Sequence, residues 1–397
     1  MAKAARGKAC EVLVINQIAQ VGLKRLPAEQ YSLVKEAKDP EAILVRSQDL
    51  HKFEFGPSLK AVGRAGAGVN NIPVAALSKR GIPVFNAPGA NANAVKELVL
   101  AGMLMAARNL PPALDFVNKL AAENLDRQIE GGKKQFAGAE LPGHTLGVIG
   151  LGKIGSLVAD AAIRLGMNVL GHDPHITVEA AWSLPSQVRR AGSIDEILKA
   201  SHFVSLHVPL VEKTRHLINE KNIDSFRAGC VLLNFSRDGV VSEHAVAQGL
   251  VSHRLGWYVT DFPSAGLIGK PGVIALPHLG ASTREAEDNS AIMVVDEVRD
   301  YLEHGNLLNA VNFPEAAMPR EAPYRLAIAN ANVPDMLGRI SHALGRRKIN
   351  IHNMLNKSRG EMAYTLVDAD SPVPGEVVDE LCALDGVLAV RYLPVHG

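Results

Sequence analysis

Short apolar runs alternate with helix-like stretches along most of the chain. Near the N-terminus there are four such runs, at residues 11–15, 42–46, 60–63 and 82–85. Apolar runs of this length, separated by helical periodicity, are typical of buried strands in a parallel sheet. A helical stretch follows over about 91–109, and strand and helix patterns alternate again from 145 to 282. The pattern therefore predicts an α/β protein with two doubly wound parallel-sheet domains.

The last part of the chain has a different order of elements. Residues 291–302 have the periodicity of an amphipathic helix, which we expect to return the chain to the first domain. A proline-rich stretch over 313–323 is predicted to be a linker. Residues 324–394 then read as strand, helix, strand, strand, helix, strand. This order predicts a third, smaller βαββαβ domain of the ferredoxin-like type.

A glycine-rich turn after one predicted strand carries the most specific chemistry. The apolar run 146–149 leads into Gly150-Leu-Gly152-Lys153-Ile154-Gly155, and the next predicted strand ends near Asp173. The first glycine permits a sharp turn, the second lets the backbone approach a pyrophosphate, and the third lets a helix pack closely. The first backbone amides of that helix can donate hydrogen bonds to phosphate groups, and the carboxylate of Asp173 can accept hydrogen bonds from ribose hydroxyls. The turn predicts a dinucleotide site, and because Asp173 would repel a 2′-phosphate, NAD is favoured over NADP.

Polar groups also follow three further predicted strands of this domain. The segment His207-Val208-Pro209 is placed to wall an adenine pocket, while Arg237 and His278 each follow an apolar strand. Ligands of open α/β sheets bind at the carboxyl ends of the strands. A guanidinium can grip a substrate carboxylate, and an imidazole can exchange a hydroxyl proton as hydride is transferred. Arg237 and His278 are therefore the candidate catalytic pair; a surface ion pair and a structural histidine are their alternative roles.

Composition and charge exclude several classes of protein. The formal net charge of +1 over 397 residues gives no reason to expect a nucleic acid or an acidic membrane as partner. Cys10, Cys230 and Cys382 are scattered, so no disulfide framework and no metal site are expected. The sequence contains no long membrane-spanning run and no recognisable secretory signal. We expect a cytoplasmic protein that acts on a small molecule.

Six motifs carry a resemblance to a known family. They are 64–71 (RAGAGVNN), 89–97 (GANANAVKE), the Gly150 turn, 234–237 (NFSR), 261–263 (DFP) and 277–283 (PHLGAST). Together they resemble the D-isomer-specific 2-hydroxyacid dehydrogenase family, and within it the members that oxidise D-3-phosphoglycerate. The resemblance implies a substrate-binding domain over 1–89 that is completed by 284–312, and a Rossmann NAD-binding domain over 90–283. It also implies an ACT-type regulatory domain over 324–397, with catalysis in the cleft between the first two domains.

The resemblance further implies which residues bind cofactor and substrate. NAD contacts are expected at Gly150, Gly152, Lys153, Ile154, Gly155, Asp173, His207, Val208, Pro209, Thr214, Asn234, Phe235, Ser236, Asp261 and Gly280. Substrate contacts are expected at Arg46, Ser47, Gly66, Ala67, Gly68, Asn91 and Asn93. Arg46 and Ser47 can supply charge and a hydroxyl to a phosphate, and the amides of 66–68 can form an anion-binding nest. Helix capping is the alternative role of Asn91 and Asn93.

The chain departs from the family pattern at one catalytic position. Family members carry a glutamate a few residues after the aspartate that Asp261 matches, and that glutamate hydrogen-bonds the catalytic histidine. Residues 261–270 (DFPSAGLIGK) contain no glutamate. Two interpretations follow. Either another group, with Asp261 or water as the candidate, orients the imidazole of His278, or the enzyme is weakened or inactive.

The resemblance also bears on regulation and on the overall activity. Asn330, Asn332 and Asn350 are expected to bind an amino-acid effector, with L-serine as the candidate. Asp335 stands where the family has glycine, so a purely oligomerising domain is the alternative. The implied activity is oxidation of D-3-phosphoglycerate to 3-phosphohydroxypyruvate, the first step of L-serine synthesis, by a homodimer or homotetramer. The alternatives are a dehydrogenase for another D-2-hydroxy acid, such as glycerate or glyoxylate, and a catalytically weak NAD-sensing protein that binds partners.

Overall fold

In the computed structural model, which describes residues 9–395, the chain divides into two units. Residues up to Asn91 and those from Glu287 onward form the first unit, and Ala92–Ala286 form the second. Each unit contains a parallel sheet whose central strands are buried. The two doubly wound sheets predicted from the sequence are thereby confirmed as parallel α/β layers.

A five-stranded parallel sheet opens the first unit. Its elements are β1 (Cys10–Ile15), α1 (Gln20–Leu23), β2 (Tyr31–Val34), β3 (Ala42–Val45), β4 (Ala61–Arg64), α2 (Val74–Lys79) and β5 (Val84–Asn86). The strand order is β2-β1-β3-β4-β5, so the chain reverses its direction of travel across the sheet between β1 and β3. Four of these strands were predicted. The edge strand β2 was not, because two of its four residues are exposed and its apolar pattern is correspondingly weak.

The second unit is a seven-stranded parallel sheet with helices around it. Its elements begin with α3 (Ala92–Ala107), α4 (Leu110–Asn118), α5 (Leu125–Gly132) and a 3-10 turn (Lys133–Phe136). They continue with β6 (Thr145–Ile149), α6 (Lys153–Arg164), β7 (Asn168–His172), α7 (Val178–Trp182), β8 (Val188–Arg190), α8 (Ile194–Ala200) and β9 (Phe203–Leu206). After 3-10 turns at Glu212–Thr214 and Ile223–Ser225 come β10 (Cys230–Asn234), α9 (Glu243–Val251), β11 (Leu255–Thr260) and β12 (Val273–Ala275). The order β12-β11-β10-β9-β6-β7-β8 is that of a Rossmann sheet, with its switch point between β6 and β9.

A long helix leads into the C-terminal sheet. The helix is α10 (Arg284–His304), and its first turn is capped by the Thr283 hydroxyl, which accepts the Ala286 amide at 3.1 Å. The elements beyond it are β13 (Tyr324–Ala331), α11 (Met336–Arg346), β14 (Ile351–Arg359), β15 (Met362–Ala369), α12 (Gly375–Cys382) and β16 (Val387–Pro394). All strand pairs in this sheet are antiparallel, in the order β14-β15-β13-β16. The predicted βαββαβ order is confirmed.

The C-terminal sheet shares a hydrophobic core with the N-terminal sheet. Ala327, Tyr364 and Leu366 belong to the same buried cluster as Phe85 of β5 and Val298 of α10. The segment 313–323, predicted as a linker, is packed rather than extended in solvent: its apolar side chains at 313, 316, 318 and 322 are buried. The two sheets of the first unit are consequently held together by apolar burial, which is the dominant stabilising term in folding.

Candidate active site

The three glycines of the turn after β6 have three different environments. Gly150 has φ +91°, and a Cβ on it would lie 2.4 Å from the carbonyl oxygen of His207. A Cβ on Gly155 would lie 2.0 Å from the Gly150 carbonyl oxygen, so α6 can pack on the turn only without a side chain there. A Cβ on Gly152 would meet nothing within 4 Å. Within the described residues, packing of the protein itself requires glycine at positions 150 and 155 but not at 152. The space beside Gly152 is open, so a ligand could contact the backbone there.

Loops from neighbouring strands converge on this turn. The Gly150 amide donates to the carbonyl of His172, at the end of β7, at 2.9 Å. The carboxylate of Asp173 accepts the amides of Leu151 and His175, each at 2.9 Å. Asp173 thus fixes the turn while its remaining lone pairs can accept hydroxyl groups.

The segment after β9 adds a histidine and a hydrogen-bonded loop. Nε2 of His207 lies 2.8 Å from the Ser205 hydroxyl, whereas its buried Nδ1 has no hydrogen-bond partner. Burial lowers the pKa of His207 to about 4, so the ring is neutral near pH 7. The hydroxyl of Thr214 lies 2.5 Å from the carbonyl of Pro209, which closes the loop that begins at Val208. The segment lies beside the glycine turn, because a Cβ on Gly150 would lie 2.4 Å from the His207 carbonyl oxygen and 3.1 Å from the Val208 side chain.

The carboxyl ends of β10 and β11 are joined by one hydrogen-bond network. The amide of Asn234 donates to the carbonyl of Arg237 at 3.1 Å, and its oxygen accepts the Ser236 amide at 3.2 Å and hydroxyl at 2.9 Å. The Thr260 hydroxyl donates to the Asn234 carbonyl at 3.2 Å and accepts the Phe262 amide at 3.0 Å. Asn234 is buried, so these bonds are shielded from competing water. Phe235, also buried, packs on α3 beside Gly102.

The carboxylate of Asp261 hydrogen-bonds the backbone next to His278, the candidate base, and not the imidazole of His278. Its carboxylate accepts the amides of Leu279 at 2.7 Å and Gly280 at 2.8 Å, and the residue is 2% exposed. Asp261 was one candidate for orienting the imidazole of His278, but in this structure its two carboxylate oxygens accept backbone amides and it forms no hydrogen bond with that imidazole. Asp261 instead fixes the turn that carries His278.

The two candidate catalytic side chains are exposed. His278 has φ +53°, and its ring packs on Phe262, with ring centroids 4.9 Å apart. The guanidinium of Arg237 donates to the Ser236 carbonyl at 2.7 Å and forms no ion pair among residues 9–395. Both side chains are thus held on ordered turns and available to a ligand.

Arg46 and Ser47 lie at the switch point of the first sheet. With Asn16 and Gln17, which follow β1, they line a cavity of about 490 Å³. Asn16 Oδ1 accepts the amides of Ser47 at 3.1 Å and Gln48 at 2.7 Å. Arg46 is ion-paired at 2.5 Å with Glu287 of α10. Asn16 and Glu287 were not predicted, although Asn16 is the first polar residue after a predicted strand and the rule that identified Arg237 would have found it.

The other predicted substrate residues lie in the loop after β4 and at the start of α3. Gly66 has φ +150°, a Cβ on Gly68 would meet nothing within 4 Å, and the Ala67 carbonyl accepts the Asn86 side-chain amide at 2.5 Å. Asn91 directly precedes α3. Asn93 lies in its first turn and bonds along the helix, to Glu97 at 2.8 Å and Lys96 at 2.6 Å.

The three predicted effector residues are not equivalent. Asn330 is 1% exposed, and it donates to the Ala331 carbonyl at 2.8 Å and accepts from Thr365 at 3.4 Å. Asn332 and Asn350 are exposed and bond to the Gly360 carbonyl and to Asp370, respectively. Asp335 has φ +63°, the left-handed conformation that glycine adopts most readily and that aspartate tolerates. Of the three residues, Asn330 is the least accessible to an effector in this structure.

Comparison with known proteins gives the class of this chain. The D-isomer specific 2-hydroxyacid dehydrogenase NAD binding domain matches residues 100–280. A relative from Haemophilus influenzae is 33% identical over 376 residues, which are 91% of this chain and 88% of the relative. The chain belongs to the D-isomer-specific 2-hydroxyacid dehydrogenase family, and its second unit is the family's NAD-binding domain.

The individual relatives are more specific. The Haemophilus influenzae protein is a D-3-phosphoglycerate dehydrogenase. So is a relative from Methanocaldococcus jannaschii, 36% identical over 322 residues, which are 78% of this chain. This chain spans 58% of that relative's length and little more than half of two others. A solved glyoxylate reductase from Paecilomyes thermophila superimposes with a TM-score of 0.62 at 25% identity, covering 77% of this chain and 99% of that one.

Residues 9–395 contain neither a candidate membrane span nor a candidate metal cluster. No helix there has the length and apolar character needed to cross a membrane. No group of three or more histidine, cysteine, aspartate or glutamate side chains there is arranged to hold a metal ion.

Proposed function

We propose that this protein oxidises D-3-phosphoglycerate to 3-phosphohydroxypyruvate with NAD, at the start of L-serine synthesis. The observation that carries the proposal is similarity along nearly the whole chain to a D-3-phosphoglycerate dehydrogenase, over 91% of this chain and 88% of the relative. Arg46, Ser47 and the cavity they line support a phosphorylated substrate.

The proposed chemistry is assigned to Arg237 and His278. When bound, NAD supplies the acceptor for the hydride that leaves C2 of the substrate. The forked guanidinium of Arg237 binds the C1 carboxylate and holds C2 in place. The imidazole of His278 takes the proton of the C2 hydroxyl as the C–H bond breaks, so the alcohol becomes a ketone. In the reverse direction the same imidazole returns the proton to the carbonyl oxygen.

Arg46 is assigned the substrate phosphate. Its guanidinium lies at the carboxyl end of β3 in a cavity that also offers the Ser47 hydroxyl. A phosphate would compete with Glu287 for this cation, because the two are paired at 2.5 Å. That pairing favours the second candidate, an unphosphorylated acid such as glycerate or glyoxylate, and the glyoxylate reductase among the solved structures makes it a specific alternative.

NADH formation with D-3-phosphoglycerate, D-glycerate and D-lactate, measured side by side, tests the proposal. Turnover of only the phosphorylated acid is expected, whereas preference for glycerate would establish the alternative. Lack of turnover with all three would leave an NAD-sensing protein.

The Arg46→Ala variant tests the phosphate assignment. Loss of a charged hydrogen bond of about 1.5–3 kcal/mol should raise the KM for D-3-phosphoglycerate roughly 10- to 100-fold and leave the KM for NAD unchanged. Arg25→Ala is the matched control, because Arg25 also pairs with α10, through Asp296 at 2.5 Å, but does not line the cavity. Equal losses of affinity for substrate and NAD would contradict the assignment.

For the C-terminal βαββαβ domain we propose an ACT-type role in oligomerisation, with L-serine as candidate effector. Asn332 and Asn350 are the exposed candidates for effector contacts, while Asn330 is buried. L-serine should lower the rate and raise the melting temperature. If it changed neither, feedback control would be dropped and the oligomerising role kept, with a homodimer or homotetramer expected in sedimentation.

A further inference from the structure

We propose that the ring of Phe262 positions the imidazole of His278. It would thereby take over one role of the glutamate that this chain lacks, which is to orient the imidazole. The inference deepens the proposed dehydrogenase function, since it takes His278 as the base. Phe262 is a positioning residue here, because it acts through His278 and is not assigned a contact with substrate or NAD.

The backbone of His278 is fixed, which leaves only its side-chain torsions free. The Asp261 carboxylate accepts the two backbone amides that follow His278, at 2.7 and 2.8 Å, and His278 itself has φ +53°. No described carboxylate of the second unit hydrogen-bonds the imidazole. The ring contact with Phe262, at a centroid distance of 4.9 Å and an interplanar angle of 48°, is therefore what restricts the plane of the imidazole in this unit.

Phe262 is itself anchored. Its amide donates to the Thr260 hydroxyl at 3.0 Å, and that hydroxyl donates to the Asn234 carbonyl at 3.2 Å. Asn234 in turn binds the carbonyl of Arg237. One network at the ends of β10 and β11 consequently fixes the backbone of Phe262 and of the Arg237 turn, so displacement of the backbone that carries the aromatic ring would be resisted by these hydrogen bonds.

An aromatic contact and a carboxylate differ in their electrostatic effect. A carboxylate orients an imidazole and also stabilises its protonated form. A phenyl ring restricts orientation without adding charge. Replacement of Phe262 should therefore slow proton transfer through misalignment and leave the position of the pH–rate profile unchanged. Misplacement of a reacting group by about 1 Å can cost on the order of 10²-fold in rate.

The variants are Phe262→Leu, which keeps an apolar side chain without the ring, and Phe262→Tyr, which keeps the ring. Phe262→Leu should lower kcat about 10- to 100-fold with unchanged KM for NAD and unchanged midpoints of the pH–rate profile, and Phe262→Tyr should restore kcat to within a few-fold. The control is Phe116→Leu, because Phe116 and Phe136 form a similar pair, 5.3 Å apart at 48°, away from the candidate residues. A kcat within twofold of wild type in Phe262→Leu, or a shifted pH profile, would overturn the proposal.

A second readout does not depend on activity. In protein with ¹³C-labelled histidine rings, the Phe262 ring current should displace the ring resonances of His278, which are assigned with His278→Gln. Phe262→Leu should remove that displacement, and Phe116→Leu should not. If the wild type has no dehydrogenase activity, the proposed function fails while this measurement still tests the contact; identical His278 resonances in wild type and Phe262→Leu would show that the contact is absent.

Discussion

At the scale of single residues, the candidate catalytic groups are positioned chiefly through backbone hydrogen bonds. Asp261 is the clearest case, since its buried carboxylate accepts two consecutive amides and forms no hydrogen bond with the imidazole. The sequence indicated that Asp261 matters, but its role depends on which atoms approach the carboxylate. That approach is made by residues 18 and 19 positions later in the chain.

Asp261→Asn is predicted to destabilise the fold without shifting the pH–rate profile. One oxygen would become an NH2 group facing a backbone donor, which should cost about 1–3 kcal/mol of unfolding free energy. The rate should fall, since the turn carrying His278 would loosen. Denaturant unfolding and the pH dependence of kcat/KM are the measurements. Asp238→Asn is the control, because exposed Asp238 accepts only the Gly239 amide within residues 9–395. A displaced pH profile in Asp261→Asn would restore Asp261 as the acid that orients the imidazole.

His207 should make the fold sensitive to acid. Its pKa is lowered to about 4 by burial, whereas an unfolded histidine titrates near 6.5, so the unfolded chain binds an extra proton in this window. Stability attributable to the neutral ring is therefore complete above about pH 6.5 and falls as the pH drops toward 4, by at most about 3 kcal/mol. His207→Gln should flatten this part of the curve of unfolding free energy against pH. His175→Gln, at an exposed histidine, should leave it unchanged; equal slopes in both variants would contradict the assignment.

At the scale of elements, two glycines in the turn between β6 and α6 have different roles: Gly155 is needed for packing, and Gly152 is expected to be needed for ligand binding. Gly155→Ala would place a Cβ 2.0 Å from the Gly150 carbonyl oxygen, so both stability and NAD binding should be lost. Gly152→Ala would meet no protein atom within 4 Å, and at φ −70° alanine is unstrained. Its melting temperature should stay within about 2 °C of wild type, while NADH affinity in a fluorescence titration should fall at least tenfold. Retained NADH affinity in Gly152→Ala would show that the pyrophosphate does not approach this glycine.

Element prediction from sequence succeeded where burial was complete and was less complete at edges. The fully buried strands β3, β9 and β10 read as mainly apolar runs, with Ser205 inside β9 and Asn234 at the end of β10 as their polar residues. The edge strand β2 and the helices α4 and α5 went unpredicted; in α4 and α5 no residue is buried. Periodicity records the burial of a face, so an element with little buried surface leaves little signal.

At the scale of the whole molecule, a buried ion pair within the C-terminal sheet belongs to a network that reaches the end of α10. Arg325 and Asp368 are both 0% exposed, with Arg325 Nε 2.6 Å from Asp368 Oδ1. Arg325 also donates to the carbonyls of His304, Met318 and Pro319, at 3.0–3.1 Å. The guanidinium thereby ties β13 to the end of α10 and to the segment that follows it.

Removal of one partner from this pair should weaken the first unit strongly. Asp368→Asn would leave the guanidinium buried without its counter-ion, which should cost about 3–5 kcal/mol of unfolding free energy. Glu380→Gln is the control, since it breaks the more exposed Arg346–Glu380 pair, and such pairs contribute about 0–1 kcal/mol. Urea unfolding of the two variants would check this. Similar losses in both would show that the buried pair contributes no more than a surface one.

The two parallel sheets, the βαββαβ order of the C-terminal sheet and the dinucleotide turn could all be predicted from the order of residues along the chain. These are local properties, because apolar periodicity and glycine spacing depend only on residues that are close together in the sequence. Three-dimensional packing was needed to show that Asp261 binds backbone amides, that Phe262 contacts His278, that Glu287 pairs with Arg46 and that Asn330 is buried. Each of these depends on which distant strand ends and helix turns meet, and such meetings are set by the packing of the sheets rather than by neighbours in the chain.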